Sequence, residues 1–206
     1  MAEKAERFPR ARRSAPVYAG VLIGGASARM GSAKHLLKIG DQSWLERTVG
    51  QLEGAVAETV LLGRGEVPDT LAGLRRLADV PDVSGPMAGI LSAMRWAPRT
   101  SWLIVACDMP QVSREAVDWL LSWRRPGVWA VMPRLGEGQP LEPLLAYYDF
   151  RSRPLLERLA ASGCFRAAEI ARSSKVVTPV PPAELARAWT NVNRPEDLAD
   201  PSGDRP

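Results

Sequence analysis

The chain has 206 residues, enough for one α/β domain with a sizeable core and too few for two ordinary domains. Its hydrophobic share of 46% and charged share of 24% are ordinary for a globular protein, and a formal charge of +4 falls far short of a nucleic-acid-binding signature. Two cysteines and one histidine leave no zinc spacing, no multi-histidine metal site and little room for Ser-His-Asp chemistry.

Residues 1–16 hold Lys4, Arg7, Arg10, Arg12 and Arg13, and read as a basic flexible tail. Arg12-Arg13, an apolar run and Ala26-Ser27-Ala28 together outline a secretory or twin-arginine signal. The run is short, however, and contains Pro16 and Gly20. Residues 17–23 are therefore read as a first buried strand. A helix follows over 44–52, with Ser43 as its N-cap. A second strand is expected at 59–62 and a short third at 74–78, ending in Asp79. A helix at 85–96 opens behind Gly85-Pro86, where proline suits the first turn. Residues 102–106 form an apolar strand covered on both faces. A helix at 114–123 is capped by Ser113, and a strand follows at 128–132.

The pattern then changes. After a turn at 136–139, residues 141–148 return as an antiparallel strand. Segments 154–161 and 166–171 are helical, and 175–180 is a strand ended by Pro181-Pro182. Residues 188–193 read as extended, Pro195 opens a short helix through Leu198, and 201–206 read as a frayed tail. Strands alternating with helices indicate βαβ units and a mainly parallel sheet. The expectation is one α/β domain over 17–200, with three layers and an antiparallel C-terminal addition. No run approaches ~18 apolar residues, so no membrane span is expected. Two isolated cysteines suit a reducing, cytoplasmic setting.

Four motifs carry chemistry. Leu22-Ile23-Gly24-Gly25-Ala26-Ser27-Ala28-Arg29-Met30-Gly31-Ser32-Ala33-Lys34 follows the first strand. Its glycines let backbone N–H groups surround phosphate oxygens, and Arg29 and Lys34 add positive charge. The dinucleotide fingerprint G-x-G-x-x-G is absent. A P-loop is excluded too, because Ser32-Ala33 separates Gly31 from Lys34 and His35 follows. The second motif, Cys107-Asp108-Met109-Pro110, delivers a carboxylate to the end of an apolar strand. Asp108 can hold Mg²⁺ there, or simply cap the turn; Cys107 reads as packing. In the third, Asp79 precedes Gly85-Pro86-Met87-Ala88-Gly89, with Asp82 competing for any role given to Asp79. The fourth is Asn191-Val192-Asn193-Arg194-Pro195-Glu196-Asp197-Leu198. Asn193 has a capping partner in Glu196, which leaves Asn191 without a structural job.

In this order and spacing the motifs resemble the molybdenum cofactor guanylyltransferases, within the Rossmann-like nucleotidyltransferases. That family runs L-x-G-G-x-S-x-R-M-G-x-x-K, then D before G-P-L-A-G, then C-D-x-P, then N-x-N-x-P-E-D-L. The resemblance implies that GMP passes from GTP to molybdenum-loaded molybdopterin, with release of pyrophosphate. It also implies that Leu22, Gly24, Gly25 and Lys34 contact GTP and that Asp79 contacts the nucleoside. Asp108 would bind Mg²⁺, and Asn191 and Asn193 would lie on the pterin side. Arg29 and Lys34 would stabilise charge on the phosphates. Protein partners implied are those that deliver molybdopterin and the molybdoenzymes that receive the product; nucleic acid and membrane are not among them. Gly25 stands where cytidylyltransferases and many sugar-phosphate relatives have Ala, which leaves room beside a purine. Alternatives are a related transferase using CTP (a molybdopterin cytidylyltransferase) or a sugar phosphate, and a non-catalytic nucleotide-binding protein.

Overall fold

The computed structural model describes residues 15–23 and 34–190. The N-terminal tail, the heart of the glycine-rich loop and the final asparagine motif therefore lie outside the described residues. The expected frayed end and the helix at Pro195 do so as well.

The first strand, β1 (Val17–Leu22), sits in the middle of the sheet. Val17, Ala19 and Val21 enter one core, while Tyr18 and Leu22 border the other. That double burial is why the run is apolar throughout, and it settles these residues as a strand. A short 3-10 turn (Lys34–Leu36) leads to a small hairpin of β2 (Lys38–Ile39) and β3 (Gln42–Ser43). The hairpin turns at Gly40-Asp41, with Gly40 at φ 62°. The strand pattern there is too short to read from sequence, although a Gly-Asp pair is a hairpin signal.

Helix α1 (Trp44–Leu52) starts where Ser43 predicts. Ser43 Oγ accepts from Glu46 N at 3.2 Å, and Ser43 N donates to Glu46 Oε2 at 2.7 Å, a reciprocal capping box. Thr70 Oγ1 donates to the other Glu46 oxygen at 2.6 Å. The hydrogen bonds from Thr70 and Ser43 lower the Glu46 carboxyl to about 2. Strands β4 (Glu58–Leu62) and β5 (Arg75–Leu77) follow, then α2 (Pro86–Trp96), β6 (Ser101–Ala106) and α3 (Arg114–Ser122). Gly85 caps α2 at φ 67°, and Ser113 Oγ accepts from Ala116 N to cap α3. The rest comprises β7 (Ala130–Val131), β8 (Leu145–Tyr148), α4 (Arg153–Ala161), β9 (Val176–Val177) and α5 (Ala183–Ala186).

The main sheet has seven strands in the order β5-β4-β1-β6-β8-β7-β9. β5, β4, β1 and β6 are parallel, and β8 returns antiparallel between β6 and β7. This is the expected mainly parallel sheet with an antiparallel C-terminal addition. Leu45, Val49 and Leu52 of α1 and Ala116, Val117 and Leu120 of α3 fill the core on one face. Met87, Ile90, Leu91 and Met94 of α2 and Leu156 of α4 fill it on the other. The result is three layers with two cores.

Three segments depart from expectation. The strand expected over 141–148 is regular only from Leu145, because Pro143 has no N–H to donate. Upstream, Leu141 bridges Arg134 and Glu142 N bonds Pro133 O at 2.9 Å. The strand expected over 175–180 is regular only at Val176–Val177, although the Lys175, Val177 and Pro179 carbonyls still accept from Trp129, Met132 and Arg134. The extended piece expected from residue 188 is instead a 3-10 turn at Arg187–Trp189, following α5. Trp189 is 2% exposed, and its indole N–H donates to Leu145 O at 2.9 Å. Burying that indole with its N–H satisfied outweighs the extended preference of the segment.

Candidate functional site

Neighbouring strands end at one level. Leu22 pairs with both Leu62 and Ala106, and Leu62 pairs with Leu77. The chain moves from β1 to β4 and β5 on one side, then crosses back to β6 on the other. The order therefore reverses between β1 and β6, and open α/β sheets bind ligands in the crevice at such a point. Ile23 N donates to Leu62 O at 2.8 Å, Cys107 N to Leu22 O at 3.3 Å and Gly63 N to Leu77 O at 2.8 Å. These bonds fix the first residues beyond each strand, including the start of the glycine-rich segment.

Asp108 stands two residues beyond Ala106, half-buried in the turn that follows β6. Met109 beside it is 1% exposed and anchors that turn in the core. Cys107 is half-buried in the same turn and packs against the core from there, not from within the strand. Among the described residues no group of three or more His, Cys, Asp or Glu gathers as a metal cage. A single hard carboxylate at a strand end fits Mg²⁺ only as a site shared with substrate phosphates, which is how Mg²⁺ is commonly held.

Asp79 stands two residues beyond Leu77, on the β5 side of the same edge. Its Oδ1 is 3.5 Å from where a Cβ on Gly89 would lie and 4.0 Å from one on Gly63. A side chain at Gly89 would also come within 2.6 Å of Leu22 Cδ2, so glycine there lets α2 close on the strand ends. Asp82, the competing acid, occupies an exposed turn at φ 62°. Only Asp79 is brought against the strand ends beside Leu22.

Partial burial raises the Asp79 carboxyl above its ordinary value of 3.8, while the Arg64 charge pulls it back. A raised carboxylate means that the ionised form weakens the folded state. This penalty is fully present above the raised value, fades as pH falls through that value toward 3.8, and is gone below 3.8. Asp79→Asn is therefore expected to melt at a higher temperature than the parent near pH 7. The gain should vanish near pH 3. An unchanged or lower melting temperature at pH 7 would refute the desolvation account.

Of the other expected site residues, Leu22 closes β1 and Lys34 opens the 3-10 turn beyond the loop. Gly24, Gly25, Arg29, Asn191 and Asn193 lie outside the described residues. Sequence reasoning passed over His35, which is 2% exposed, with Nε2 2.7 Å from the Glu66 carbonyl oxygen. A shallow cleft of about 360 Å³ opens nearby, lined by Lys38, Asp41, Glu46, Glu66 and Asp69 among others. Its carboxylates disfavour a polyphosphate.

A family model described as the MobA-like NTP transferase domain matches residues 19–176. The chain belongs to this family. As a MobA-like NTP transferase it is 32% identical over 195 residues to a probable molybdenum cofactor guanylyltransferase of Pelotomaculum thermopropionicum, covering 86% of this chain and 88% of that one. Among solved structures it is similar to molybdopterin-guanine dinucleotide biosynthesis protein A from Archaeoglobus fulgidus, at TM-score 0.70 and 26% identity, covering 88% of this chain and 95% of that one. It also shares the fold of 2-C-methyl-D-erythritol 4-phosphate cytidylyltransferase from Thermus thermophilus, at TM-score 0.64 and 17% identity, over 90% of this chain and 96% of that one. The MobA-like fold is thus shared with a cytidylyltransferase, and the scaffold does not choose the base. No described helix is long and apolar enough to cross a membrane.

Proposed function

We propose that this nucleotidyltransferase moves GMP from GTP to the terminal phosphate of molybdenum-loaded molybdopterin. The observation that carries the reading is the common level at which β1, β5 and β6 end. That level supports reading Leu22, Asp79 and Asp108 as residues of one site at this edge of the sheet. The name of the Pelotomaculum relative supports the choice of GTP, and Gly25 leaves space beside a purine.

In this reading an oxygen of the acceptor phosphate attacks the α-phosphorus of GTP. A new P–O bond forms, the bond between the α-phosphorus and its bridging oxygen breaks, and pyrophosphate leaves with that oxygen. The attacking phosphate is already anionic, so no histidine base is required, only alignment and charge neutralisation. Backbone N–H groups of the loop from Gly24 and Gly25 cradle the phosphates, and Arg29 and Lys34 balance their charge. Asp79 accepts hydrogen bonds from the nucleoside. Asp108 is the residue that would hold Mg²⁺, which when bound neutralises phosphate oxygens and eases departure of pyrophosphate. A nucleoside triphosphate substrate fits the cytoplasm, as do two cysteines that form no disulfide.

Asn191 and Asn193 are assigned to the pterin side. Trp189 supports this, because its indole bond to Leu145 ties the nearby chain to the end of β8 level with Val105. Asn191→Ala is expected to lower turnover with the pterin substrate and leave GTP affinity intact. Calorimetry beside turnover measurements separates that outcome from a simple cap, whose loss would cost about 1 kcal/mol of stability and spare the kinetics. The whole reading is tested by incubating the protein with Mg²⁺, molybdenum-loaded molybdopterin and each nucleoside triphosphate in turn. A guanine dinucleotide and pyrophosphate are expected by mass analysis. A cytosine dinucleotide, or no product from any triphosphate, would overturn it.

A further inference from the structure

His35 is the only histidine of the chain and, among the described residues, one of a few buried polar side chains. It is the middle residue of the 3-10 turn that Lys34 opens. Its Nε2 reaches the Glu66 carbonyl at 2.7 Å. A carbonyl only accepts, so Nε2 carries the hydrogen. Glu66 belongs to the connection between β4 and β5, and that connection is itself fastened. Gly63 N bonds Leu77 O at 2.8 Å, and the Gly65 carbonyl accepts from the Arg76 guanidinium of β5.

The fit around the ring is close. A Cβ on Gly65 would lie 3.2 Å from His35 Cε1 and 3.5 Å from Nε2, so glycine there makes room for the imidazole. Just downstream, Leu37 O accepts from Trp44 N at 2.8 Å, which ties the far end of the turn to the start of α1. The same connection also carries Arg64, whose charge acts on Asp79. One imidazole therefore joins the chain at the end of the glycine-rich loop to the connection beside the proposed nucleoside acid.

We propose that His35 is a positioning residue for nucleotide transfer. It clamps the backbone at Lys34 to the connection over residues 63–66 and so holds the phosphate and nucleoside ends of the site in one frame. This rests on the phosphate-loop reading above. Lys34 carries its charge on a long flexible stem, and its reach depends on where its backbone is held. A planar ring donor held between the Glu66 carbonyl and Gly65 restrains that backbone.

The test is a double-mutant cycle on the full chain, with KM measured separately for GTP and for the pterin acceptor. His35→Ala is expected to raise the GTP KM on the order of tenfold and to leave the acceptor KM unchanged, within the range typical of coupled neighbours. In a Lys34→Ala background the same change should add less than about twofold, because the group being positioned is gone. His35→Gln supplies an amide N–H and should recover most of the loss. Gly65→Ala presses on the ring while leaving it in place, so it serves if His35→Ala fails to fold. Its effect should likewise collapse in the Lys34→Ala background. Additive effects with a damaging Lys34→Ala, or equal rises in both KM values, would overturn the clamp and leave the loop reading standing. A silent Lys34→Ala would bring down the loop reading and the clamp together.

Discussion

Asp108→Asn is expected to reduce turnover by about 10³-fold or more while the protein stays folded. The carboxylate stands two residues beyond Ala106, at the end of a strand whose six residues are all buried. The strand is held by Ser101 through Ala106 and by Met109 in the core, so exchanging one half-exposed oxygen for nitrogen leaves that packing alone. What changes is the charge that the proposed reading offers to Mg²⁺. An amide is a poor ligand for a hard dication, and losing that ligand removes several kcal/mol of transition-state stabilisation. At about 1.4 kcal/mol per decade, this corresponds to the expected loss. The check is pyrophosphate release across a Mg²⁺ titration, with far-ultraviolet circular dichroism and melting on the same samples. Near-parent rates at saturating Mg²⁺ would remove Asp108 from the metal role.

Much of this site was legible because it hangs on features that sequence displays directly. β1 and β6 are apolar on consecutive residues, which only a strand covered on both faces needs, and both were read within a residue or two. Once they are parallel neighbours, the residues just beyond them must share an edge, and Asp108 follows without further information. Asp79 needed more. Its place against the strand ends depends on the close packing of α2 at Gly89, where an added Cβ would lie 2.6 Å from Leu22 Cδ2 and 3.5 Å from Asp79 Oδ1, and nothing local in the sequence announces that. His35 was invisible for a similar reason. Its partner is a backbone carbonyl 31 residues away, and any residue type offers a carbonyl. Trp189 misled because the segment around it has no helical period, and its conformation is set by a tertiary hydrogen bond to Leu145. Local pattern thus located the strand ends, and long-range packing decided which side chains meet there.

Lys34→Ala is expected to lower kcat/KM for GTP by ~10²-fold, the scale for removing one preorganised charge-stabilising donor. Lys38→Ala should change it less than about twofold, as befits an exposed residue outside such features. The two lysines are only four positions apart, but their settings differ. Lys34 opens the 3-10 turn at the end of the glycine-rich segment, next to the buried His35. Lys38 is exposed on β2, where its charge acts on Glu46 at the capping box of α1. A generic loss of positive charge would weaken an anionic ligand similarly from either position, since screening acts over roughly 8 Å at physiological salt. A phosphate contact is local, and its loss falls on one lysine alone. Raising the salt separates the cases further. The Lys34 effect should persist at high ionic strength if the ammonium meets phosphate out of bulk water, whereas a long-range effect should fade. Steady-state kinetics for both variants at low and high salt, with GTP calorimetry beside them, provide the comparison. Equal losses from the two substitutions would show that the loop does not end in a phosphate-binding lysine.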